Sequence, residues 1–215
     1  MKPRPVAAEI VREYGPVAEH VNGVTFDGRY VWAATGARLV ALDPATGATV
    51  RALDLACDAG TAFDGKYLYQ ITESRIDKID PETGEVLASI PAPGEGRDSG
   101  LAWAEGTLWV GQYRERKIHQ IDPQTGVILR TIESNRFVTG VSWVDGELWH
   151  GTLEDDESEL RRVDPASGAI LERLVMPRGA LVSGLEADDG DLFYCGGASG
   201  GKLRAVRRPR AGRRK

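Results

Sequence analysis

Cysteine and histidine are scarce in this 215-residue sequence, and long apolar runs are missing. Two cysteines, Cys57 and Cys195, cannot make the disulfide framework of a small secreted scaffold. No apolar stretch reaches the roughly 20 residues that a membrane-crossing helix needs, so no membrane partner is expected. No segment repeats apolar residues at the i, i+3, i+4 spacing of an amphipathic helix. Met1 to Val6 holds two prolines and no apolar run. It does not read as a signal peptide, and a cytoplasmic location is expected. The net charge of -5 is uneven, because Arg207, Arg208, Arg210, Arg213, Arg214 and Lys215 crowd the C-terminal end. Without those six, 21 basic residues face 32 acidic ones, a net of -11. So acidic a body is a poor nucleic-acid binder. Residues 209–215 read as a basic, disordered, solubilising tail.

What the sequence has is glycine, 26 residues of it, set in a repeat. Gly100 to Glu133, GLAWAEGTLWVGQYRERKIHQIDPQTGVILRTIE, is one unit. Apolar and small residues alternate from Gly100 to Trp103, which predicts a strand with one buried face. Glu105-Gly106 is a tight turn, and strands follow at 108–111, 117–121 and 127–132. In Asp122-Pro123-Gln124-Thr125-Gly126 the proline presets φ, the aspartate can bind its own backbone, and the glycine tolerates positive φ. Four short antiparallel strands in about 40 residues is the size of a propeller blade. The first turn recurs at Asp27-Gly28, Asp64-Gly65, Asp145-Gly146 and Asp189-Gly190, and the third at Asp43-Pro44, Asp80-Pro81 and Asp164-Pro165. Gly23, Gly60, Gly140 and Gly184 open the other copies. The second strand carries an aromatic in each copy: Trp32, Tyr69, Trp109, Trp149 and Phe193.

The expected fold is therefore all-β, a five-bladed β-propeller with four-stranded antiparallel blades. The units are about 22–55, 57–93, 98–134, 137–177 and 181–208, in a single domain over 1–208. The fifth copy has only three strands, whereas residues 9–14 read like residues 127–132. An N-terminal strand closing the last blade would complete the ring and cover two open edges.

In a propeller the innermost strands line the axis. The residue before each opening glycine is small or polar in every copy: Asn22, Ala59, Ser99, Thr139 and Ser183. Crowding at the axis accounts for small side chains there, and so does a ring of polar groups holding a ligand. Around that ring His20, Cys57, Asp58, Arg97 and Asp98 are polar, while Phe137, Val138, Leu181 and Val182 are apolar. A mouth with one polar and one apolar wall suits a small organic ligand. Glu73 and Tyr113 sit on the loops of the same face. Ligand contacts are thus expected from His20, Asn22, Glu73, Arg97, Ser99, Tyr113, Thr139 and Ser183. Catalytic candidates are His150, whose imidazole can titrate near neutrality, the nucleophile Cys57, and Asp58 and Asp98. His20, Cys57 and Cys195 form a weak donor set for a soft metal, so a divalent metal is admitted and no cofactor is fixed. The run from Glu154 to Glu159 lacks the spacing of a calcium loop and reads as solvated charge.

GLAWAEGTLWVGQY and IDPETGEVL resemble repeats of two propeller groups, the plant-type glutaminyl-peptide cyclotransferases and the streptogramin B (virginiamycin B) lyase-like proteins. The resemblance runs from about Glu9 to Arg208. It implies a five-bladed ring and, by analogy, cyclisation of N-terminal glutamine or metal-dependent elimination. In the cyclotransferase pattern the first blade carries a catalytic glutamate where this sequence has Ala33. The expected function is a monomer that binds a small molecule or peptide at the channel mouth. The alternatives are a lyase or glutaminyl-cyclotransferase-type enzyme, and a protein-interaction scaffold.

Overall fold

The computed structural model describes residues 3–209. The expected tail lies outside the described residues except for Pro209. The elements are β1 (Val6–Ala7), β2 (Ile10–Tyr14) and β3 (His20–Val21), then β4 (Gly23–Phe26), β5 (Val31–Ala34), β6 (Gly36–Leu42) and β7 (Thr49–Cys57) of the first blade. The second blade is β8 (Thr61–Phe63), β9 (Leu68–Thr72), β10 (Arg75–Ile79) and β11 (Val86–Pro91). The third is β12 (Asp98–Ala104), β13 (Thr107–Gln112), β14 (Lys117–Ile121) and β15 (Ile128–Glu133). The fourth is β16 (Phe137–Val144), β17 (Glu147–Glu154), β18 (Glu157–Val163) and β19 (Ile170–Val175). The fifth holds β20 (Gly184–Ala187), β21 (Leu192–Gly196) and β23 (Leu203–Arg207), with the short β22 (Ala198–Ser199) before its last strand.

Five antiparallel sheets follow one another around an axis, and β2 pairs with β23 to complete the fifth, as the repeat phase requires. Three short strands were not foreseen, β3 and β22, which pair with each other, and β1. β1 runs parallel to β19, with Val6 opposite Leu174, and widens the fourth blade to five strands.

The Asp-Pro turns behave as their chemistry dictates. Each aspartate Oδ1 accepts the N–H groups two and three residues on, as at Asp43 from Ala45 (2.7 Å) and Thr46 (2.9 Å). At Pro44, Pro81 and Pro165 an arginine from the outer strand of the preceding blade then reaches the turn. Arg51 donates to Pro81 O at 2.7 Å and Arg130 to Pro165 O at 2.9 Å.

The core lies between blades. The second-strand aromatic of each sheet packs on the first strand of the next: Tyr69 on Trp103 (5.3 Å between centroids), Trp109 on Trp143 (6.0 Å) and Tyr194 on Phe26 (5.8 Å). The fifth blade corrects the sequence alignment by one residue. Tyr194 pairs with Glu186 as Trp149 pairs with Ser142, so Tyr194 and not Phe193 is the repeat aromatic. Phe193 lies opposite Ala187 and fills the space that this alanine leaves beside Trp149, at 4.9 Å.

At the axis the opening glycines form a closed ring. A Cβ on Gly23 would point at Gly60, on Gly60 at Gly100, on Gly100 at Gly140, on Gly140 at Gly184 and on Gly184 back at Gly23. On Gly60 it would lie 2.4 Å from Leu101 N, and on Gly140 2.6 Å from Leu185 N. These obstacles are backbone, which cannot rotate aside. Gly60→Ala is expected to cost about 1–3 kcal/mol through overpacking, measured by urea denaturation. An unchanged midpoint would show that the ring is looser than drawn.

The acidic stretch from Glu154 to Glu159 also departs from expectation. Glu159 is buried with Arg161, Arg173 and Arg136 around it, and Glu154 pairs with Arg116 at 3.1 Å. Ser158 and Glu159 lie on opposite faces of β18 and are both buried, while Asp155 and Asp156 of the turn and Glu157 at the start of the strand are exposed.

Candidate functional site

The glycine ring pinches the axis shut. The space bounded by the five glycines and Val24, Thr61, Leu101, Val141 and Leu185 leaves no room for a water molecule. Above it the channel opens into a blind cup of about 310 Å³. Its floor is the residue before each glycine, one from every blade: Asn22, Ala59, Ser99, Thr139 and Ser183.

Two of the floor hydroxyls tie blades together. Ser99 Oγ donates to Val138 O of the next blade at 2.7 Å, and Ser183 Oγ donates to Val21 O while accepting the Ala198 N–H at 2.9 Å. Thr139 differs. It is 6% exposed, and its Oγ1 has no hydrogen-bond partner in the protein, a costly state for a buried hydroxyl.

The walls differ in chemistry. On one side are Asp58 and Asp98. Asp98 is 8% exposed; its Oδ2 accepts the Gly94 N–H at 2.9 Å and its Oδ1 faces Gln112 Nε2 at 3.3 Å. Burial raises its pKa above the usual carboxylate range, against those hydrogen bonds. Asp58 is exposed and accepts the Glu73 N–H at 3.0 Å. On the other side are Tyr113, Leu153, Leu181 and Val182. Tyr113 stacks on Phe137 at 4.7 Å, Arg116 lies 4.5 Å above the far ring, and Glu154 pairs with Arg116. No lysine, arginine or histidine is among the residues lining the cup.

Of the residues singled out in the sequence, Asn22, Asp58, Asp98, Ser99, Tyr113, Thr139 and Ser183 come together here. Glu73 borders an adjoining hollow that shares Asp58, Ala59 and Asp98 with the cup. The rest lie elsewhere. His20 is exposed on β3, 3.8 Å from Glu19. Arg97 braces its own loop, donating to Gly94 O at 3.1 Å and pairing with Glu115 at 3.5 Å.

Cys57, Cys195 and His150 are turned into the cores between blades by the alternation of side chains along a strand. The Cys57 thiol donates to Arg38 O at 2.9 Å within the cluster of Trp32 and Leu39, and burial pushes its pKa up. Cys195 packs with Trp149 and Phe193 between the fourth and fifth blades, where burial pushes its thiol to about 12. His150 lies opposite Val141 and Arg161; burial first, and then the Arg161 charge, push it down to about 4. His20, Cys57 and Cys195 therefore stand in three separate places. Among the described residues no three His, Cys, Asp or Glu side chains converge in a way that could hold a metal ion.

The sequence reading passed over Glu186. It occupies the second position after the opening glycine, which is Thr25, Ala62, Ala102 and Ser142 in the other blades. A lone glutamate in that small-residue series is the signal that could have found it. Its carboxyl is enclosed, accepting from Ser142 Oγ (2.7 Å), the Ala187 N–H (2.9 Å) and Thr25 Oγ1 (3.1 Å), and it spans three blades. Burial raises its pKa to about 7 in spite of those donors.

The same architecture recurs in solved structures. The glutaminyl cyclase of Myxococcus xanthus superposes with a TM-score of 0.79 at 18% identity, over 96% of this chain and 98% of that one. The virginiamycin B lyase of Staphylococcus aureus gives 0.52 at 16% identity, over 86% and 65%, and the WD40 propeller domain of Doa1 gives 0.56 at 17%, over 88% and 64%. At such identities the likeness shows the fold. None of the curated proteins matches the sequence. The repeats themselves are matched by a family model: residues 72–215, more than half of the chain, fit the PQQ_2 family described as outer membrane protein assembly factor BamB, and the chain belongs to that family.

Proposed function

We propose that this propeller binds a small molecule or short peptide in the blind cup, with an amine-type cation against Asp98 and Asp58 and an apolar portion against Tyr113, Leu153, Leu181 and Val182. The observation that carries this reading is a cup lined by two carboxylates and no base. Desolvation makes a charged Asp98 unfavourable by itself, and a cation beside it offsets that penalty at an effective dielectric well below that of water. The opposite wall offers dispersion contacts and one aromatic face.

Benzylamine and benzyl alcohol separate charge from shape. By isothermal titration calorimetry the amine is expected to bind and the alcohol to bind at least tenfold more weakly. Asp98→Asn is expected to remove about 1.5–3 kcal/mol of the amine affinity, the range for a hydrogen bond to a charged group. Equal binding of both probes, or an indifferent Asp98→Asn, would sink the reading.

A second reading, an enzyme of cyclotransferase or lyase type, is favoured by the superposition with a glutaminyl cyclase over nearly the whole of both chains. With Ala33 buried in the strand where the cyclotransferase pattern has its glutamate, Asp98 and Asp58 are the acids at the cup. In such a reaction Asp98 would carry the proton between the attacking amine and the leaving ammonia. Ammonia release from a peptide with N-terminal glutamine, abolished by Asp98→Asn, tests it.

A further inference from the structure

We infer that the propeller carries a second ligand site, at the seam between the first and second blades and remote from the cup, which takes a planar aromatic carboxylate. At four seams two rings meet: Tyr69 with Trp103, Trp109 with Trp143, Tyr194 with Phe26, and Trp149 with Phe193. The remaining seam has the residues for such a pair, Trp32 on β5 and Phe63 on β8, yet these two rings are not stacked among the described residues. Both border a hollow of about 440 Å³, larger than the cup and within the size range of small-molecule sites. Where the fourth seam lacks a ring, at Ala187, Phe193 fills the gap. Here both rings are present and the gap remains.

The local chemistry accounts for the open seam. Trp32 Nε1 donates to Asp27 Oδ2 at 2.7 Å, which ties the indole to the turn of its own blade. Trp109, whose Nε1 has no partner in the protein, is the one that stacks on Trp143. The hollow is also separate from the cup. β4 starts next to Asn22, which lines the cup, and ends next to Asp27, which lines the hollow.

The charges around the hollow are spent, with one exception. Asp27 Oδ1 accepts the N–H groups of Arg29 at 2.8 Å and Tyr30 at 2.6 Å, and its other oxygen holds the indole. Glu82 pairs with Arg51 at 3.1 Å, and Arg51 also donates to Pro81 O at 2.7 Å. Arg29 pairs with no carboxylate among the described residues, and its guanidinium lies 4.8 Å from the centre of the Tyr30 ring. A guanidinium resting on an aromatic face keeps its fork of donors for a carboxylate. The ligand's ring thus enters beside Phe63 and Trp32 and supplies the stack that the other seams make from protein, while its carboxylate meets Arg29.

The test titrates the protein at pH 7 and fixed ionic strength, by calorimetry, with 2-naphthoate, 2-naphthalenemethanol and decahydro-2-naphthoate. The naphthoate is expected to bind. The alcohol should bind about fivefold more weakly, for want of a partly exposed ion pair, and the saturated acid about threefold more weakly, for want of aromatic faces. Arg29→Gln is expected to weaken naphthoate about fivefold and to leave the alcohol unchanged. Lys66→Gln removes the matching cation from the face of Tyr67 in the second blade, and is expected to leave naphthoate binding intact. Phe63→Trp gives the second blade the ring that Trp103 and Trp143 supply in the next two. It is expected to fill the hollow and abolish naphthoate binding, with a urea midpoint no lower than that of wild type. Should that variant fail to fold, Arg29→Gln at its exposed position decides. Failure of naphthoate to bind, equal binding of acid and alcohol, an equal loss in Lys66→Gln, or undiminished binding by folded Phe63→Trp would each overturn the site.

Discussion

Glu159→Ala is expected to lower the stability of the propeller by about 3–5 kcal/mol, the cost of stripping one partner from a buried ion cluster. The carboxylate is enclosed by three guanidinium groups. Arg161 Nε lies at 2.7 Å, Arg173 Nε at 3.0 Å and Arg136 Nη1 at 3.5 Å. Arg161 has only 3% of its side chain exposed. It keeps a hydrogen bond to Asn135 Oδ1 at 2.6 Å but would lose its counter-charge. Urea unfolding should show the loss as a shifted midpoint with the slope unchanged. Burial alone would raise the Glu159 pKa, yet the hydrogen bonds from Arg173 and Arg161 hold it at about 2. Its contribution is therefore present above the ordinary glutamate range near 4.5 and fades as pH falls toward 2. Wild type and Glu159→Gln should converge in that acid window. A penalty below about 1 kcal/mol for the alanine would place the cluster with the weak surface pairs.

Glu186→Gln is expected to do the opposite and stabilise the protein, increasingly as pH rises from about 4.5 to 7. The folded pKa of about 7 exceeds the unfolded value near 4.5. The folded chain thus holds a proton that the unfolded chain has released between those values. The stability contributed by the protonated carboxyl is complete below about 4.5 and is lost as pH rises through 7. Over that interval wild type should lose about 3 kcal/mol relative to the glutamine variant, from a shift of roughly 2.5 pKa units. At pH 4 the two should melt together; at pH 8 the variant should melt higher. The cause is specific: the carboxyl meets two hydroxyls and one amide N–H, and no cation contributes to its shift. A difference that does not change with pH would mean that Glu186 is hydrated.

The ring was legible because turn chemistry repeats with a fixed period. Asp-Gly and Asp-Pro pairs mark the corners of every blade, and the match of residues 9–14 to residues 127–132 announces where the circle closes. The five floor residues of the cup were legible for the same reason, since each stands one place before a glycine. What the repeat does not carry is facing. Cys57, Cys195 and His150 lie close to the mouth along the chain, yet one step of strand alternation turns each into the core. The slip between Phe193 and Tyr194 has a related origin: two adjacent aromatics satisfy the pattern equally, and only the pairing of Ala187 decides between them. Glu159 was hidden by its acidic neighbours. It became distinct only when the fold placed Arg136, Arg161 and Arg173 around it.

The clasp of β2 on β23 has a consequence for biosynthesis. A ribosome delivers the first four sheets in order, and each can form from contiguous chain as it emerges, except that β1 must come from the N-terminal side to join β19 of the fourth. The fifth cannot, because one of its strands precedes the other four blades in the chain and its partner follows them. Until then residues 10–14 wait without a neighbour and the nascent ring stands ajar, with two unsatisfied strand edges exposed to other chains. Closure of that seam is the most non-local contact in the molecule, and loop-closure entropy makes it the step on which productive folding waits.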